Sequence, residues 1–277
     1  MPEPHDRVSE EANITRREVE NIEERARLRA RVVYEIIRVE GEEEMERPIA
    51  SLWWSGLAAG VSLSFSLLAE ALLKLRLPHA GWSELVADFG YCVGFLMVIL
   101  GRQQLFTEST ITVVLPVFAD FNVRNLARLF RMWGVVLVAN IAGTIIAAAF
   151  WTLIPALSDE IRSMMIEISA QALSHGWWTI LCRGVLAGFL MAALVWMIPS
   201  AKGSESIAII AMTYLIAAGG FSHVVAGNME AFMLVWSGQR GLADAIFGFT
   251  TPALLGNVIG GTALFALISY AQVMREM

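Results

Sequence analysis

The chain has 277 residues, of which 56% are hydrophobic and 17% charged, and its mean hydropathy is +0.59. Residues 1–48 hold 14 of the 26 acidic and 9 of the 20 basic side chains, which leaves 12 and 11 for the other 229 residues. So little charge, so nearly balanced, excludes a soluble enzyme with an ordinary charged surface and a basic nucleic-acid binder. It describes an all-α polytopic membrane protein behind a charged extension.

Residues 1–47 form that extension and hold no apolar core, so no cleaved secretory leader is expected. The pattern predicts one helix. Thr15 and Glu18 have capping-box spacing, and Gly41 is a candidate stop. Ile22, Ala26, Arg29, Val33, Ile36 and Ile37 trace an apolar stripe with one basic interruption. The plain reading is a solvated helix lying against the membrane domain; a regulatory plug or partner-docking helix is the alternative.

Residues 48–277 read as the membrane domain. A helix needs about 20 apolar residues to cross the hydrocarbon, and six elements meet that measure: 49–69, 89–119, 132–158, 177–199, 206–236 and 245–274. The second is interrupted at Arg102, Gln103, Gln104 and Glu108, and the fifth around Gly219, Gly220, His223, Gly227 and Glu230. Arg124, Arg128 and Arg131 follow the second element, Lys202 follows the fourth, and Arg275 ends the sixth. With the nine arginines of the extension they make that side the basic one, so both termini are expected in the cytoplasm. Cys92 and Cys182 lie in apolar runs, outside any disulfide framework or metal spacing.

The domain also repeats itself. Asn140, Gly143 and Thr144 in the third element match Asn257, Gly260 and Thr262 in the sixth, Asn140 and Asn257 lying 117 positions apart; Thr107 precedes His223 by 116. Gly56 and Gly60 match Gly184 and Gly188. Three spans per repeat imply that the second half is inverted in the bilayer, an arrangement that places a site at the midplane where broken helices meet. Polar and ionisable residues in mid-span are tolerated where the backbone is buried in protein or lines a cavity. Thr107 and His223 occupy the breaks, near 103–109 and 219–228, and are the candidate pathway residues; Arg102 and Glu108 can be read as a snorkelling base and a locally paired acid.

Tyr91-Cys92-Val93-Gly94-Phe95 with Leu105-Phe106-Thr107 resembles the second span of the formate/nitrite transporter family. Phe221-Ser222-His223 is similar to its broken fifth span, and the Asn140 and Asn257 segments to its third and sixth; the resemblance covers about residues 48–272. It implies an aquaporin-like fold, a homopentamer in the cell's inner (plasma) membrane, and a separate pore in each subunit for small monovalent anions of weak acids. It makes His223 the central histidine and Thr107 the threonine facing it. Phe95, Leu105 and Phe106 become the cytoplasmic constriction, and Tyr91 with Ile216 the periplasmic one. The chain departs from the family pattern at Gly188, where an asparagine is common, at Ser222 and Gln104, where acids are common, and at Ala172, where a base is expected and Arg183 is the substitute.

A bare anion does not cross an apolar constriction, because burying an unpaired charge is costly. The resemblance therefore implies entry as an anion, protonation near His223, and passage as the neutral acid. A neutral small-solute channel of the same fold and a non-conducting scaffold acting through the N-terminal helix are the alternatives. No catalytic motif, metal spacing or cofactor fingerprint is present, so neither enzyme nor cofactor is expected.

Overall fold

The computed structural model describes residues 28–275, and every regular element among them is helical. Helix α1 spans Ala30–Glu46. It buries Val33, Tyr34, Ile37, Gly41 and Met45 and leaves Arg29 exposed. Gly41 does not stop it. The glycine is an interior contact: a Cβ there would stand 2.0 Å from the Thr112 carbonyl oxygen, so the missing side chain seats the helix on the membrane domain. The helix ends before Pro48, whose ring disfavours helical geometry at Arg47. The Thr15 and Glu18 cap lies outside the described residues.

Among the described residues, five helices are long and apolar enough to cross a membrane: Ile49–Arg76 (α2), Ser83–Leu100, Val123–Leu153 (α7), Trp177–Ser200 and Asp244–Met274. Within these, Ser83–Ala87 is α3 and Cys92–Leu100 is α4. Phe106–Thr112 (α5) and Val114–Ala119 (α6) continue the second element, and Asp159–Ala172 (α8) joins α7 to the fourth element, whose α-helical part, Trp177–Met197, is α9. The expected fifth span is two shorter apolar helices, Glu205–Ala218 (α10) and Val224–Trp236 (α11). The last long element holds Thr251–Val258 (α12) and Leu267–Met274 (α13), with wider π-helical turns at Asp244–Thr250 and Ile259–Ala266.

Two boundaries differ from the hydropathy reading for a physical reason. Helix α2 continues past 69 to Arg76, carrying Glu70 and Lys74 one turn apart with 3.4 Å between them; a mutually paired acid and base do not end a helix. Helix α7 begins at Val123 rather than 132, because the Asn122 side chain caps it by accepting the Asn125 N–H at 2.9 Å.

The two breaks are built alike, bond for bond. Helix α4 ends with Gln103 N–H donating to Val98 O (2.9 Å) and Arg102 N–H to Ile99 O (3.1 Å). Helix α10 ends with Phe221 N–H donating to Ile216 O (2.9 Å) and Gly220 N–H to Ala217 O (2.8 Å). Arg102 and Gly220 take the left-handed conformation such an ending requires, at φ +49° and +59°. Each atom pair is shifted by 118 positions. Extended backbone follows at Leu105 and His223, and each then opens a second half-helix.

Asn140 and Asn257 hold the two breaks. Asn140 Oδ1 accepts the Phe106 N–H at 2.9 Å, and its Nδ2 donates to Gly56 O (2.8 Å) and Gln104 O (2.9 Å). Asn257 Oδ1 accepts the Val224 N–H at 2.8 Å, and its Nδ2 donates to Gly184 O and Ser222 O, both at 2.8 Å. Each amide thus satisfies backbone groups freed where a helix is interrupted, away from water. The partnership also corrects the register of the repeat: the counterpart of His223 is Leu105, not Thr107. Gly60 and Gly188 play matching parts, since a Cβ at either would stand 2.2 Å from the backbone oxygen of Asn140 or Asn257.

Candidate functional site

The half-helices α5 and α11 bring their first turns together. Thr107 Oγ1 and His223 Nε2 are 2.8 Å apart, and both residues are buried. His223 is also the N-cap of α11: its Nδ1 accepts the Ala226 N–H at 3.2 Å. An accepting Nδ1 leaves the ring proton on Nε2, so the imidazole is neutral and its Nε2–H donates to Thr107. The Thr107 hydroxyl hydrogen then has no partner among the described residues and is free for a visiting acceptor.

Beside this pair, Phe95 meets the His223 ring edge-on at 5.0 Å, and Tyr91 lies against Phe95 at 5.1 Å. Leu105 and Phe106 are buried at the start of α5; the Phe106 ring packs on Trp133 at 5.7 Å, whose indole N–H donates to Ser109 O at 3.0 Å. A cavity of about 550 Å³ opens at the end of α2 farthest from α1 and reaches the histidine; Tyr91, Ile216, Ser222 and His223 line it. The structure thus brings His223, Thr107, Tyr91, Phe95 and Ile216 into one neighbourhood. Asn140 and Asn257 stand behind it as supports.

The departures noted in the sequence have local reasons. Gly188 is a packing position, because Asn257 O fills the space of a Cβ. Gln104 donates from Nε2 to Glu44 Oε1 of α1 at 3.0 Å, and Thr112 donates to Glu44 Oε2 at 3.0 Å, so the break after α4 is tied to the extension. Burial pushes the Glu44 carboxyl up from its ordinary range, against the lowering effect of those two donors. Arg102 and Glu108 form no ion pair with each other; Arg102 is exposed at the C-terminal end of α4. Ala172 and Arg183 both line the cavity, and an Arg183 nitrogen lies 3.4 Å from where a Gly220 Cβ would stand.

Glu70 and Glu230 line the same cavity; read along the sequence, Glu230 is only an interruption of the fifth element, without a role, and Glu70 is not reached. The signal was available for Glu230, an acid inside the apolar run of α11. Glu70 was hidden because the first apolar run was closed at 69.

Buried polar breaks in two membrane-length elements, held by backbone-binding asparagines around a threonine–histidine pair, are the architecture of a membrane channel or transporter. Residues 31–271 match the formate/nitrite transporter profile, and the chain belongs to that family. It is similar to inner membrane protein YfdC of Escherichia coli, at 40% identity over 94% of this chain and 84% of that one. It is also similar to the formate channel FocA of Haemophilus influenzae, at 27% identity over 78% of this chain and 84% of that one. Among solved structures, a pentameric formate channel with formate bound superimposes with a TM-score of 0.68 at 18% identity, covering 82% of this chain and 98% of that one. An ion channel of the same family gives 0.75 at 17% identity, covering 87% and 98%.

Proposed function

We propose that the protein conducts small monovalent anions of weak acids across the inner membrane, each subunit of a homopentamer having its own pore. The observation that carries this reading is the Thr107–His223 pair, 2.8 Å apart where two half-helices begin. The free hydroxyl hydrogen of Thr107 and the two helix N-termini suit a small anion or its acid. Family membership supports a channel for such solutes, and the pentameric neighbour supports the assembly.

In this reading the spans are six, in two inverted triplets with α4–α5 and α10–α11 as the broken members. The 118-position identity of the two breaks supports it. Residues 1–47 form a cytoplasmic extension, 48–277 the channel domain, and both termini are cytoplasmic. The anion enters the cavity past Arg183, which compensates for Ala172, meets Tyr91 and Ile216, is protonated near His223, and leaves past Phe95, Leu105 and Phe106 uncharged. Flux of formate, nitrite, acetate and hydrosulfide into proteoliposomes tests the reading. Uptake that rises toward acidic pH supports it. Passage of water or a polyol with no anion, independent of pH, supports the neutral-solute channel instead, and no passage at all supports a scaffold.

A further inference from the structure

Protonating an anion requires a proton source, and the geometry of His223 does not make it one. Its Nδ1 is occupied as the acceptor of the Ala226 N–H, and a second ring proton would break that cap and set a cation against the positive end of α11. The source must lie elsewhere along the path.

The cavity beside His223 contains a carboxyl that nothing holds. Glu230, on α11, is 9% exposed and lines the cavity. No hydrogen bond or ion pair reaches it among the described residues, and a carboxylate so deep in a membrane protein is costly unless it faces a cavity or a partner. The surrounding charges do not supply that partner. From α2 come Glu70 and Lys74, but Lys74 is engaged by Glu70 at 3.4 Å. From the turns before α4 come Glu84, Asp88 and the neutral phenol of Tyr91. His175 and Arg183 line the cavity as well. Helix α8 presents only the uncharged Ile168, Gln171 and Ala172, and the Asp244–Thr250 turn only Phe249. Glu70 is also buried and lines the same cavity, so the two carboxyls lie on one path with the histidine.

We propose that Glu230 is the proton donor of the pathway, reloaded from the outer solvent by way of Glu70. This inference rests on the weak-acid reading above. In the step, the O–H bond of the Glu230 carboxyl breaks and an O–H bond forms on the anion; the electron pair stays on the carboxylate, and the neutral acid moves on past Phe95. A hydronium ion from the outer side, passed along Glu70, restores the Glu230 proton, and the acid releases its own proton in the cytoplasm. Each anion thus carries one proton, and transport is electroneutral. Thr107 orients the substrate by donating its hydroxyl hydrogen, and His223, donating to Thr107, holds that hydroxyl in place without changing charge.

The test uses the full-length assembly in proteoliposomes loaded with a pH dye, with formate as the probe. Wild type is expected to acidify the interior by one proton per formate and to take formate up faster as the outside pH falls. Glu230→Gln, of nearly the same size, should lose at least tenfold in the acid-stimulated rate and flatten the profile, with the assembly intact on sizing. Glu230→Asp, which keeps a titrating carboxyl, should retain the slope at a lower rate. An unchanged profile in Glu230→Gln overturns the proposal while leaving the weak-acid reading standing. Wild-type uptake without acidification, which needs no variant to fold, overturns the proposal together with the protonated passage of the weak-acid reading, leaving only anion conduction. Wild type that carries no weak-acid anion at any pH overturns the reading and this inference together.

Discussion

The support of the break before α11 rests on one side chain, and removing it has a calculable cost. Asn257 is fully buried and makes three hydrogen bonds of 2.8 Å, to Val224 N–H, Gly184 O and Ser222 O. In Asn257→Ala the Val224 N–H is left without a partner, at about 1–3 kcal/mol, and two carbonyls each lose a bond with a net contribution of about 0.5–1.5 kcal/mol. The central sum is about 4 kcal/mol. At roughly 2–4 °C per kcal/mol for a chain of this size, the purified assembly should melt about 8–16 °C lower. Because the lost bonds flank His223 on both sides, anion flux should fall even below the melting range. Tryptophan-fluorescence melting and formate uptake on the same preparation check both. Asn140→Ala, which breaks the matching three bonds, should give a similar shift. A shift under about 3 °C with normal flux would refute the claim that these amides hold the breaks.

Four further outcomes follow from the same structure. His223→Asn keeps an N-cap residue of the preferred type, so assembly should survive while flux drops at every pH and the slope of its pH profile persists, since Glu230 still titrates. Phe106→Ala removes a ring packed on Trp133; it should raise leak, blunt selectivity between anions and lower stability by about 3 kcal/mol, read as uptake and melting. Gly188→Ala forces a Cβ to 2.2 Å from Asn257 O and should abolish the assembled species on sizing, whereas Gly176→Ala, with nothing within 4 Å, should not. Glu44 has its carboxyl raised by burial. The docked α1 therefore binds a proton more tightly than the undocked helix, and docking is firm at low pH and weakens as pH rises through the raised value. Proteolysis of α1 should increase from acidic to alkaline pH in wild type, and Glu44→Gln should remove that dependence.

The elements most legible in the sequence were those fixed by composition along one line. Long apolar runs located five helices that match membrane thickness, and polar interruptions located the two breaks. Asn140 and Asn257 stood out as matching positions of the internal repeat, 117 apart; that they bind freed backbone groups is shown by the structure. Leu105-Phe106-Thr107 and Phe221-Ser222-His223 carry the family resemblance in the sequence itself.

Other features were decided only by what packs against what. Gly41 has the form of a helix stop, yet the Thr112 carbonyl pressed against it makes it a contact inside a continuing helix. The apparent pairing of Thr107 with His223 across the repeat was a coincidence of spacing. The hydrogen bonds of the asparagines pair Leu105 with His223, and Thr107 meets the histidine as a neighbour in space, 2.8 Å away. The cavity with Glu70 and Glu230 was out of reach for the same reason. Its walls come from six separate stretches of chain, and hydropathy along a sequence records how much apolar surface a segment carries, not which polar groups face one another once the segments pack.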